Sequence, residues 1–278
     1  MVSTSVLFSF FEAIQATTAD AYRSHIYGAA KLLEVTKPKQ CSHGVLCQIF
    51  YHLRTQLLLI HLTGYGQETP VEAKRILYET LDYVRLPVFQ RLMGYISTLV
   101  EVYFAHQNGV TGQHADNTTY MNIKTDVESL WYEYVKEVAR PDTLLVWKDA
   151  SGTTHFHNAF TALTVAYFSA ACILLSIIAP HVATPFMDSA DHYTTILQAS
   201  QHLHTHMNGC AYMRMAPPLL LVALHGLKLS QKRQATAYFA CWVNKSMSGI
   251  SALALESIYR HRASEGYNSI SATNPSPQ

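Results

Sequence analysis

Three histidines crowd the segment QHLHTHMNG, and two of them, His202 and His206, stand one helical turn apart on a shared face. Two imidazoles at that spacing can bind zinc, but a zinc site needs a third ligand, and hydrolysis needs an acid or base such as the glutamate of H-E-x-x-H. No glutamate lies between them. No metal and no cofactor is therefore expected, and the plainer reading is a helix C-terminus whose histidines complement the dipole. Asp191, with Asp188 three residues before it, has the look of paired acids that hold a magnesium diphosphate. An N-cap and first-turn acid before a helix at 189 explains it more simply. Cys41, His43 and Cys47 cluster without matching a common zinc spacing. The chain has no G-x-S-x-G elbow, no Gly-rich phosphate loop and no dinucleotide fingerprint. His202, His206, Asp191 and Tyr212 are thus the candidates for catalysis, of the acid–base kind that a shaped apolar cavity can support without a larger motif.

A second set of residues suits binding rather than reaction. Arg54 interrupts the apolar run CQIFYHLRTQLLLIHL. It either snorkels to solvent or pairs with a buried acid, for which Glu34, Glu79 and Asp82 are the candidates. Trp131, Tyr134, Tyr167, Met213 and His225 fall on apolar helical stretches. Together with Arg54 they could line an apolar cavity with a few polar contacts, as small-molecule sites do; each taken singly also suits ordinary core packing.

These residues need a scaffold, and the composition says which. Hydrophobic residues make up 49% of the 278 and charged residues 14%, well under the charged share of an ordinary soluble domain. Many helix faces must then meet other helices. The net charge of +1 supplies no field to gather a polyanion. Five scattered cysteines without a C-x2-C pair argue for a reducing compartment, cytoplasmic or nuclear, and against a disulfide framework. The apolar N-terminus has no basic residue ahead of it, so a secretory signal is not expected. Residues 159–179 carry no charge and are long enough to cross a bilayer. Their recurring Thr and Ser, and the lack of Lys or Arg after the C-terminal end, favour a buried central helix instead.

Helical periodicity runs through almost the whole chain. Helices are expected over about 2–16, 20–35 and 44–62, then from Pro70 to about 84 and from Pro87 to about 106. Residues 107–120 read as a loop, Thr125-x-x-Glu128 as a capping box, and WKDASGTT as a turn or short hairpin. Further helices follow over 159–179, 189–207, 211–228 and 231–262, with Pro217-Pro218 restarting one and Gly249 a possible break. The expected fold is all-α: stacked helical hairpins, about ten helices, in a single domain over residues 1–262 with a disordered tail over 263–278.

The order of several segments carries a resemblance. SVLFSFFEAI, then YRSHIYGAAKLL, then the Leu-Arg-Thr-Gln segment at 53–56, AYFSAACILL, MAPPLLLVALHG and CWVNKSMSGISALALE resemble the helical regulatory domain of fungal zinc-cluster transcription factors. The resemblance covers most of residues 2–262. The six-cysteine binuclear zinc cluster by which that family reads DNA is not among these residues, so direct nucleic-acid binding is not expected. What the resemblance implies is a stand-alone regulatory domain that binds a hydrophobic metabolite or a protein partner. The alternative is an enzyme of fungal secondary metabolism, a cyclase or isomerase reusing the helical pocket.

Overall fold

The computed structural model describes residues 15–34, 44–64, 69–78, 86–107, 117–138, 144–179, 189–205, 209–243 and 247–271, with positions 4, 7, 8, 11 and 12 ahead of them. The fold is all-α. In chain order the helices are α1 (Ala19–Glu34), α2 (Gly44–Thr63), α3 (Val71–Tyr78), α4 (Val88–Gln107) and α5 (Asn117–Val138), then α6 (Ala159–Ile178), α7 (Ser189–Thr205), α8 (Gly209–Met213), α9 (Ala216–His225), α10 (Leu229–Trp242) and α11 (Ser248–Ser271). Between α5 and α6 lies an antiparallel hairpin of β1 (Val146–Lys148) and β2 (Thr154–Phe156), in the register Val146 to Phe156 and Lys148 to Thr154.

The uncharged α6 is the axis of the molecule, and its most apolar window is 89% buried. It packs most extensively on α7 and α4, and further on α5, α8, α9 and β2. Two of its hydroxyls are satisfied within the helix. Thr164 donates to the Phe160 carbonyl at 2.8 Å and Ser176 to the Ile173 carbonyl at 2.8 Å, the back-bonding by which Ser and Thr sit within helices. The helix start is set by Asn158, whose Oδ1 accepts the Thr161 amide at 2.8 Å. Asn158→Ala is expected to remove about 1 kcal/mol of stability and Asn158→Asp almost none, read from urea denaturation midpoints.

The two ends of the described chain meet, because α11 lies against α1. Arg23 on α1 reaches Glu256 on α11 at 3.4 Å, and Arg260 one turn later shares that carboxylate. At the other end of α1, the exposed Glu34 pairs with Arg75 of α3 at 3.3 Å. The hairpin is held at its tip by Asp149, which accepts the amides of Ser151 at 2.9 Å and Thr153 at 3.0 Å. Gly152 there has φ +82°, the left-handed conformation that glycine adopts without a Cβ clash.

Several boundaries differ from the sequence reading. Thr125 is not a helix start: α5 already begins at Asn117, so Thr125-x-x-Glu128 lies on continuous helix, where the amides have intrahelical partners and no cap is needed. The break expected at Gly249 falls before it, between Trp242 and Ser248. Pro217 and Pro218 do restart a helix, standing at the first turn of α9 where a missing N–H does no harm. Helix α11 continues to Ser271, so the tail expected from 263 is helical through that point. Expectations for 79–84, for His206 to Asn208 and for residues beyond 271 lie outside the described residues.

Candidate functional site

Helical spacing brings three short runs of side chains to one place. Val127, Glu128 and Trp131 come from α5, Val165, Phe168, Ser169 and Cys172 from α6, and Asp191, His192 and Thr195 from α7. Each run is spaced as one face of a helix. Between them lies a cleft of about 180 Å³ open on one side. Its floor is apolar: Val127, Val165 and Phe168 are buried, and Trp131 meets Phe168 edge to face at 4.9 Å. Tyr134, one turn after Trp131, continues this aromatic layer 5.9 Å from Phe168. The polar groups stand on the walls, with Asp191 exposed at the first turn of α7 and Glu128 half-buried on α5.

The electrostatics of the cleft are acidic. Burial pushes the Cys172 thiol up to about 12, and the neighbouring Glu128 charge adds to the rise. It is therefore a thiol at neutral pH and a poor nucleophile. Tyr120, two turns before Glu128 on α5, is raised by burial and then by Glu128 and Cys172. Lys124 stands 3.9 Å from Glu128, at the outer edge of an ion pair. Ser169 is 4% exposed, and among the described residues its hydroxyl, set in the cleft wall, makes no hydrogen bond. Cleft shape, two carboxylates, a buried hydroxyl and an imidazole from His192 can hold a small apolar molecule by one polar end.

The other candidates lie elsewhere. Tyr167 is wholly buried on a different face of α6, donates to the Arg214 carbonyl at 2.8 Å and meets Phe89 at 5.1 Å. Tyr212 belongs to an aromatic cluster with Trp242 at 5.0 Å and His204 at 5.3 Å, and burial pushes its hydroxyl up to about 12. Met213 is half-buried against the core nearby. His202 packs edge-on against Phe156 of the hairpin at 5.4 Å. His225 shares a hydrogen bond with the Tyr103 hydroxyl at 3.0 Å and meets His261 edge to face at 5.4 Å. His206 lies outside the described residues. Among the described residues, no three His, Cys, Asp or Glu side chains are grouped to hold a metal ion.

Arg54 neither reaches solvent nor meets an acid among the described residues. It is 2% exposed, and its Nε and Nη2 donate to the Leu77 carbonyl at 3.0 and 2.6 Å while Nη1 reaches the Gln90 carbonyl at 3.4 Å. Of its three candidate partners, Glu34 is engaged by Arg75, and Glu79 and Asp82 lie outside the described residues. Arg54 thus joins the end of α3 to the start of α4, away from the cleft.

Trp131 and Asp191 are the two sequence candidates that line the cleft. Glu128, Ser169, Cys172 and His192 join them without having been singled out for binding. For Ser169 and Cys172 the signal was a pair of less apolar residues at helical spacing in an otherwise apolar run. The chain matches no known family model, no curated protein and no solved structure.

Proposed function

We propose that this chain is a helical ligand-binding module that takes a small, largely apolar molecule in the cleft between α5, α6 and α7. The observation that carries this reading is the cleft itself, a mostly apolar lining with a few polar groups set in it. Its volume slightly exceeds the roughly 150 Å³ that holds a benzene ring in an engineered cavity. In keeping with the resemblance to fungal zinc-cluster regulators, occupancy would be passed to a protein partner rather than to DNA. Binding across three helices stiffens their mutual packing, and that change is what a partner could sense.

The test uses 2-phenylethanol, a neutral molecule of fitting size. Titration is expected to raise the melting temperature in proportion to occupancy, and Thr195→Phe, which fills the cleft from its half-buried wall, is expected to abolish the rise. A melting temperature indifferent to the probe would refute the reading.

One observation favours a second reading. Glu128, Asp191 and His192 line the same cleft, and three titratable groups around an apolar floor are what an acid–base cyclisation or isomerisation requires. Deleting the gene in its native host separates the two. Pathway transcripts that fall together with the products support a regulator, whereas steady transcripts with one accumulating intermediate support an enzyme.

A further inference from the structure

We propose that the cleft selects a cationic ligand: a body of about one ring on the apolar floor and an ammonium group held by Glu128, Asp191 and Ser169. This deepens the binding reading above and rests on it. Three independent features of the walls point the same way.

The first is charge. Carboxylates enter from two different helices, Glu128 on α5 and Asp191 on α7, and among the described residues no Lys or Arg lines the cleft. Asp191 has no ion-pair partner among the described residues, and Glu128 is met only by Lys124 at 3.9 Å. Beside a low-dielectric floor, an opposite charge from the ligand is worth more than it is in water. A ligand carboxylate would meet two like charges instead.

The second is the buried Ser169 hydroxyl, an acceptor left open toward the cleft among the described residues. An ammonium N–H satisfies it, whereas a wholly apolar ligand would seal it off unpaired. The third is the pair of rings. Trp131 and Phe168 meet edge to face with an interplanar angle of 73°, so their faces point in different directions. A cation above an aromatic face is attracted by the ring quadrupole, most strongly for Trp. Carboxylates, hydroxyl and aromatic face are together the chemistry that recognises an arylalkyl amine. An anion would find hydroxyl and imidazole donors there, but beside two carboxylates that repel it.

The proposal is tested with three molecules that share a ring and differ in the terminal group: phenethylammonium, 2-phenylethanol and 3-phenylpropionate. Isothermal titration at neutral pH is expected to show the ammonium binding about tenfold more tightly than the alcohol, and the carboxylate more weakly than either. Asp191→Asn changes an exposed side chain and leaves folding intact. It and Glu128→Gln are each expected to weaken the ammonium about threefold without affecting the alcohol. If the alcohol binds as tightly as the ammonium, or the carboxylate binds best, the cationic selection is overturned while cleft binding stands. If none of the three binds, both readings fall.

Discussion

Lowering the pH from 7 to 5 is expected to weaken this fold by about 2–4 kcal/mol, through histidines that the helices hold neutral. His225, at the end of α9, is pushed down to about 3, chiefly by burial and further by the neighbouring His261 and Lys232. His52 on α2 is pushed down to about 4, again by burial first and then by Arg214. His61 is lowered too, its burial partly countered by Glu101 and reinforced by Lys74. In the unfolded chain each ring titrates near 6.5. Above that value neither state holds the proton and stability is flat. Below it the unfolded chain takes protons that the folded one refuses, so stability falls until the pH reaches the folded pKa. At pH 5 one such ring contributes a loss of about 2 kcal/mol, and two about 4, reduced by their partial exposure. Urea denaturation followed by circular dichroism from pH 8 to pH 5 measures this apart from most carboxylate titration. His225→Gln keeps a partner for the Tyr103 hydroxyl while removing the titration, and should flatten the slope below pH 6.5 by about one proton. A stability curve that stays level down to pH 5 would rule the mechanism out.

The helical architecture was legible because its determinants are local. Pro87 before α4, Pro217 and Pro218 in α9, and the uncharged run of α6 each act within a turn or two of themselves. The hairpin was legible for the same reason, since Asp149 and Gly152 shape a turn of a few residues. Thr125 misled because a capping box and a mid-helix Thr with Glu three residues later have the same spelling. What distinguishes them is whether the preceding residues are already helical, as they are from Asn117. The cleft was only half legible. Trp131 and Asp191 carry chemistry that stands out alone, but they lie 60 positions apart and their convergence depends on α5 and α7 flanking the same side of α6. Tyr134 and Tyr167 show the converse. Both sit on apolar helices, yet rotation about the helix axis sends Tyr134 under the cleft and Tyr167 to Phe89 and the Arg214 carbonyl. Periodicity gives a face, and only packing says what that face meets.

Arg54→Met is expected to destabilise the protein by about 3–5 kcal/mol, more than an average core substitution. The reason lies in what the guanidinium holds. Leu77 stands near the end of the described part of α3, and Arg54 supplies its carbonyl with two N–H groups. The same side chain reaches the Gln90 carbonyl in the first turn of α4, so one residue of α2 fixes the junction between two other helices. Burial lowers its pKa to about 10, and it is still charged at neutral pH. Methionine fills the space but removes the charged donors to the Leu77 and Gln90 carbonyls, hydrogen bonds worth about 1.5–3 kcal/mol each. Arg54→Lys keeps the charge without the planar fork and should lose an intermediate amount. Gly94 on α4 provides the control. A Cβ there would lie 3.5 Å from Nη2, an ordinary contact, so Gly94→Ala should leave stability unchanged or raise it by up to about 1 kcal/mol. Chemical denaturation of the three variants checks the ordering. If Arg54→Met unfolds at the wild-type midpoint, the guanidinium is a tolerated passenger and the α3–α4 junction is held by packing alone. The ordering Met, then Lys, then wild type would instead make Arg54 a polar hub, which the apolar surroundings of α2 require to be fully hydrogen-bonded.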